Sequence, residues 1–294
     1  MENLTSVMRA NGLSMRQAAE IAGVDKSVIV KVCGQTYHEW ERKEAEIIDK
    51  LREAGYTKTA ADQLTVDTNI LVKTDNVSRF FSLADDLSDP ESSMTSSLGM
   101  AIGTAERGKS HAAKKYCEKN DTAVYTLYVD GYSRVQLLRN ICHELAGTRP
   151  YSFGACVAII AEFARVSRRL IIIDEADKCP LSILEMLRGI NESCQVPILL
   201  VGEEGLKGKV DSVPRLRSRI RKPICVFDNI KPGDVSVFYS ASCGITLEPA
   251  LVETLYRRSR GGFRTLVNEA LALAKIARAS GLNTITPAMI DKLS

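Results

Sequence analysis

Two kinds of apolar pattern alternate along the middle of the chain. Ala123 to Val129, Leu170 to Ile173 and Pro197 to Val201 are short, nearly continuous apolar runs with the length of strands buried on both faces. Between and after them apolar residues recur every three to four positions, in Val135 to Leu145, Ala155 to Val166 and Ser182 to Ile190, which predicts helices. Upstream, Val77, Phe80, Phe81, Leu83 and Leu87 predict a further helix, and from Ser97 a run of small and apolar residues forms the first core strand and empties into a glycine-bounded loop at Gly103. Strands alternating with helices through short loops mean an α/β fold, a parallel αβα sandwich.

Both flanks of this core read as helical. In residues 1–62, Leu4, Val7 and Met8 are spaced for one helix. Ser14 caps a second, Asp25 or Lys26 opens a third that Gly34 closes, and an acidic fourth runs from about Glu39 to Glu53. Ala19 at a tight crossing, Gly23 in the turn and Val24, Ile29 and Val32 inward are what a helix-turn-helix requires. In that docking Lys26, Ser27, Val30 and Lys31 face phosphates and base edges, the other reading being a protein-interaction unit. Nine Lys and Arg against ten Asp and Glu over residues 1–62 leave this segment without a basic surplus. Lys58 to Thr68 is polar and aperiodic, as a linker would be. The expected domains are therefore a helix-turn-helix domain at 1–62, a core with its linker at 63–222, and a helical lid at 223–294, its last helix opened by Thr286 and Pro287.

Composition narrows the field without deciding it. At 294 residues the chain exceeds a usual single domain, and 45% hydrophobic residues supply ample core. A formal net charge of +3 does not announce a nucleic-acid binder, so any such function must rest on local clusters. Eight cysteines stand without a C-x-x-C pair, and three histidines add no ligand spacing, which points to reduced thiols in a cytoplasmic protein. No apolar run approaches the roughly 20 residues that a membrane span needs.

The chemistry lies where the strands end. Gly103-Thr104-Ala105-Glu106-Arg107-Gly108-Lys109-Ser110 fits G-x-x-x-x-G-K-[ST]. In that loop backbone N–H groups close around phosphates, the lysine reaches the β- and γ-phosphates, and the hydroxyl ligates Mg²⁺. His111 follows in the helix and joins the nucleotide contacts. The run Leu170 to Ile173 ends in Asp174 and Glu175, at the carboxyl edge where parallel sheets place ligands. There Asp174 stands on the Mg²⁺ side and Glu175 can polarise an attacking water. Val72 to Val77 is the expected base pocket. Arg215 to Lys222 holds five cations in eight residues, fitted either to a neighbouring subunit's phosphate or to solvent and DNA. Arg264 follows Gly261 and Gly262 and is placed to swing toward a γ-phosphate.

GTAERGKS, LIIIDEADK, LEMLRGINE, PILLVGE and RLRSRI, in that order and behind MRQAAEIAGVDKSVIVKVCG, resemble the AAA+ ATPases, and within them the target-selecting ATPases of DNA transposition of the phage Mu B type. The resemblance covers nearly the whole chain. It implies ATP and Mg²⁺ as cofactors, with Lys109 and Ser110 on phosphate and Mg²⁺, Asp174 on Mg²⁺ and Glu175 activating water. It further implies Arg219 as a finger acting on a neighbour, Arg264 as the lid sensor, and Glu203 as the polar sensor of the strand end, where relatives more often carry a neutral or amide side chain. The loop also lacks the middle glycine common in such loops, Ala105, Glu106 and Arg107 standing there. The implied function is ATP-dependent, sequence-blind binding of double-stranded DNA by a filament of many copies, which activates a DNA transposase and dissociates on hydrolysis. DNA on the filament axis would meet Tyr132, Ser133, Arg134, Thr148 and Arg149. A nucleotide-switched transcriptional regulator and a non-hydrolysing ATP-binding scaffold are the alternatives.

Overall fold

The computed structural model describes residues 3–56, 64–91 and 97–293. These form two compact units, one of Met1–Thr68, Tyr239–Leu247 and Glu269–Ser294, the other of Asn69–Phe238 and Glu248–Asn268.

The larger unit is built on five parallel strands in the order β2-β3-β4-β1-β5, with β1 at Leu98–Ile102, β2 at Ala123–Leu127, β3 at Leu170–Asp174, β4 at Ile198–Gly202 and β5 at Cys225–Val226. The registers put Leu98 opposite Ile198 and Leu127 opposite Asp174. Every residue of β1, β3 and β4 is buried, as expected of central strands covered on both faces.

Alternation along the strands sends side chains to two separate cores. Ile171, Ile173, Ile198 and Leu200 join one face, covered by α7 (Arg134–Ala146), α8 (Phe153–Ser167) and α9 (Leu181–Cys194). Ile172, Leu199 and Val201 join the other, covered by α5 (Asp75–Ser88) and α6 (Lys109–Lys119). There Phe80 meets Phe227 and Tyr116 at ring-centroid distances of 5.9 and 6.4 Å. The αβα sandwich expected from the sequence is the observed architecture. The sequence-based helices are all present, though α8 and α9 extend further than their apolar spacing indicated.

Three differences have local causes. β2 stops at Leu127 because its partner β3 ends at Asp174; Tyr128 still donates its N–H to the Asp174 carbonyl, and Val129 is exposed. β5 is only two residues long, too short for any periodicity to reveal, and it pairs with Ala101 and Ile102 of β1. The basic stretch begins in a single-turn helix, α11 (Pro214–Arg217), preceded by α10 (Gly205–Asp211). The expected linker falls largely on residues 57–63, and most of the loop before β1 on 92–96, both outside the described residues.

In the smaller unit, α1 (Leu4–Ala10), α2 (Met15–Ala22), α3 (Lys26–Cys33) and α4 (Trp40–Glu53) close over Leu4, Val7, Ala18, Ala19, Ile29, Val32, Ile47 and Leu51. Ser14 caps α2 in a capping box with Gln17, and Asp25 caps α3 by accepting from Ser27 N–H, so the start signals read from the sequence operate as expected. Lys26, Ser27, Val30 and Lys31 are all exposed along α3. The remaining helices are α12 (Pro232–Cys243), α13 (Pro249–Ser259), α14 (Phe263–Ala279) and α15 (Pro287–Ile290).

Ile172 is wholly buried at the centre of the sheet, so Ile172→Ala is expected to remove about 2–5 kcal/mol of unfolding free energy in urea titration.

Candidate nucleotide site at the carboxyl edge of the sheet

The predicted phosphate loop connects β1 to α6. Gly108 precedes α6 with φ 87, and no side chain caps the helix. The first N–H groups of α6 are therefore left for an anion, and the helix dipole favours one there. Lys109 is buried and curls back over its own loop, donating from Nζ to the carbonyls of Gly103 and Thr104, both at 2.7 Å. Burial holds its pKa below that of ordinary lysine; Glu203, then Asp174, Asp177 and Glu175, oppose that by attracting the charge. Four carboxylates at this edge thus favour the charged form of the one ammonium group.

Asp174 is almost fully enclosed at the end of β3. Its Oδ2 accepts from the Tyr125 phenol at 2.7 Å and its Oδ1 from the Glu175 N–H at 2.9 Å. These bonds fix the carboxylate's orientation. Tyr125 stays a donor because burial and the adjacent Asp174 push its pKa far up. Glu175 takes φ 58, unusual for a residue with a side chain, and its carboxylate pairs with Lys178 at 2.7 Å. At the end of β4, Glu203 is exposed and its N–H donates to Asp177 Oδ1 at 3.0 Å. Gly202 permits this approach, since a Cβ there would lie 2.6 Å from Asp177 Oδ1 and 2.8 Å from its backbone nitrogen.

Among the described residues no three His, Cys, Asp or Glu side chains converge on a metal position. The donor set present, the Ser110 hydroxyl and the oriented Asp174 carboxylate at a phosphate loop, suits Mg²⁺, which ordinarily takes few protein ligands and completes its shell with phosphate and water.

The structure gathers Gly103 to Ser110, Asp174, Glu175 and Glu203 at one edge. His111, half-buried on α6, sets Nε2 3.1 Å from the Ile70 carbonyl, so it contacts the segment leading to the expected base pocket. Arg264 is exposed in the first turn of α14, beside Phe263, whose N–H donates to the Glu106 carbonyl at 2.8 Å. Arg219 lies elsewhere: its Nε pairs with Glu192 of α9 at 2.7 Å, while Arg215 pairs with Glu185 at 2.9 Å.

Of the residues read as DNA contacts, Arg134, Thr148 and Arg149 are exposed. The Ser133 hydroxyl caps α7 by accepting from Gln136 N–H at 3.2 Å, and Tyr132 is half-buried, edge-on to Tyr128 at 6.0 Å. Tyr125 and Lys178 escaped the sequence reading. Tyr125 left no signal beyond an aromatic in a strand, whereas Lys178, three residues after Glu175, could have been found from its spacing.

The parallel sheet and the phosphate loop at its carboxyl edge together define an αβα nucleotide-binding core. Residues 92–210 match the family described as AAA domain. Over 157 residues the chain is 27% identical to the ATP-dependent target DNA activator B of Escherichia phage Mu and to that of Escherichia phage D108, covering 51% of this chain and 50% of each relative. The match thus spans about half the length of these relatives. The fold is similar to that of Cdc6p from Pyrobaculum aerophilum, with TM-score 0.59 and 15% identity over 78% of this chain and 70% of that one. It is also similar to Aeropyrum pernix Orc1 in complex with DNA, with TM-score 0.54 and 14% identity over 76% and 65% of the two chains. Residues 92–210 thus carry an AAA-domain match, and about half of the chain is similar to the target DNA activators. No helix among the described residues is long and apolar enough to cross a membrane.

Tyr125→Phe leaves Asp174 Oδ2 without its donor and is expected to raise the Mg²⁺ concentration needed for half-maximal ATP binding by about tenfold, read by titrating Mg²⁺ against a fluorescent ATP analogue.

Proposed function

We propose that this protein is an ATPase that binds duplex DNA in an ATP-dependent, sequence-independent way, assembles on it as an oligomer or filament, and presents it to a DNA transposase. The observation that carries the reading is the phosphate loop opening α6 at the same sheet edge as the oriented Asp174 carboxylate, in a chain similar to target DNA activators. Within it, residues 1–62, 63–222 and 223–294 act as leading module, nucleotide core and lid.

The loop N–H groups and the open start of α6 take the phosphates, and Lys109 exchanges its bonds to Gly103 and Thr104 for phosphate oxygens. Ser110 and Asp174 would hold Mg²⁺, which when bound would supply positive charge to offset that developing on the transferred group. Glu175, released from Lys178, orients and polarises the attacking water. Arg219 leaves Glu192 to reach the γ-phosphate held by a neighbouring copy, and Arg264 reaches the γ-phosphate from within its own chain. ATP then strengthens the contact between copies, and its hydrolysis weakens it. Lys26, Ser27, Lys31, Arg134, Thr148 and Arg149 supply charge and hydrogen bonds to the DNA backbone, with Tyr132 and Ser133 shaping the loop that carries Arg134.

Co-sedimentation with unrelated DNA sequences tests this. Binding is expected with ATP and not with ADP, equally for every sequence, weakening by at least about tenfold between roughly 50 and 200 mM salt. Strong preference for one sequence sinks it in favour of a nucleotide-switched regulator. Glu175→Gln should lengthen the lifetime of the DNA-bound state, and an unchanged lifetime would show that hydrolysis does not drive release.

A further inference from the structure

Ala105, Glu106 and Arg107 stand in the middle of the phosphate loop, where such loops commonly carry a glycine, and the backbone at Glu106 keeps a glycine-like conformation, φ 68. Two bonds hold the residue in it. Its carbonyl accepts from Phe263 N–H at 2.8 Å, and its Oε2 accepts from the Thr265 hydroxyl at 3.0 Å. A Cβ on Gly262 would stand 2.8 Å from that same Oε2, so glycine is what lets loop and helix come this close. Phe263 and Thr265 lie in the first turn of α14, where N–H groups lack partners within the helix and the dipole favours a carboxylate. Arg264 stands between them, exposed.

We propose that Glu106 is a positioning residue: it ties the phosphate loop to the first turn of α14 and so sets Arg264 against the γ-phosphate. A glycine at this place would satisfy the loop's backbone and leave α14 free of it. Glu106 therefore makes recognition of the third phosphate depend on its side-chain contact with Thr265. The inference rests on the reading that this loop binds ATP.

The test compares the affinities of the full-length chain for fluorescent ATP and ADP analogues. Glu106→Gly is expected to lower the preference for ATP over ADP by about tenfold, through weaker ATP binding alone. Glu106→Gln keeps an acceptor for Thr265 and should stay within about twofold of the wild type. Arg264→Ala should lose the same preference, and combining it with Glu106→Gly should cost nothing further. Thr265→Val, which leaves the loop sequence intact, should lose part of it. Equal weakening of ATP and ADP by Glu106→Gly, additive losses in the double variant, or a Gln variant as impaired as the Gly variant each overturn the proposal. Wild-type protein that binds neither nucleotide overturns the ATP reading and this one with it. Wild-type preference for ATP that survives Glu106→Gly overturns the positioning role alone.

Discussion

Burial works against the charge of Lys109, while Glu203, Asp174, Asp177 and Glu175 draw it in. Both effects meet at the carboxyl edge of the sheet, where Lys109 also donates to the Gly103 and Thr104 carbonyls. The carboxylates lie at or just beyond the carboxyl ends of β3 and β4, and β4 is the strand paired with β1, from which the lysine's loop departs. Parallel pairing brings the ends of these strands to one edge, and the right order of strands is what makes acids far apart in sequence act on one cation. Glu203 belongs to this balance. A carboxylate there would repel a γ-phosphate, but its charge favours the ammonium form of Lys109.

Around that centre, polar contacts orient groups before any ligand arrives. Asp174 is fixed by a phenol and a backbone N–H, and Glu175 is held in a left-handed conformation by the turn that follows β3. Glu106 is the second acid at the site with a positive φ, and its contacts run to α14 instead of along its own segment. Left-handed residues with side chains persist where surroundings over-determine them, and both of these are enclosed by specific hydrogen bonds or ion pairs.

The basic stretch after β4 shows how little a charge run reveals alone. Arg215 and Arg219 both reach back to acids on α9, where Arg188 also pairs with Glu192 at 2.5 Å. Arg215 and Arg219 are themselves more than half exposed, and surface pairs of that kind are weak.

The fold was legible because its signals are local. Unbroken apolar runs marked β3 and β4, three-to-four spacing marked the helices, and Ser14 and Asp25 marked helix starts; each depends on residues only a few positions apart. The phosphate loop and the Asp174–Glu175 pair were readable for the same reason, each being a short segment whose chemistry dictates its spacing. Tyr125 on Asp174, Glu106 on Thr265 and Arg219 on Glu192 were not, because each joins side chains that only strand order or helix packing brings together, across 49 residues for the first and 159 for the second. The two-residue β5 was hidden because so short a strand has no pattern of its own and exists through its pairing with β1. Sequence by itself thus determined which elements form and where the candidate phosphate loop and its acids lie, since both follow from neighbours along the backbone. Tertiary structure alone decided how those residues are held, because hydrogen bonds and ion pairs act over a few ångströms of space and take no account of distance along the chain.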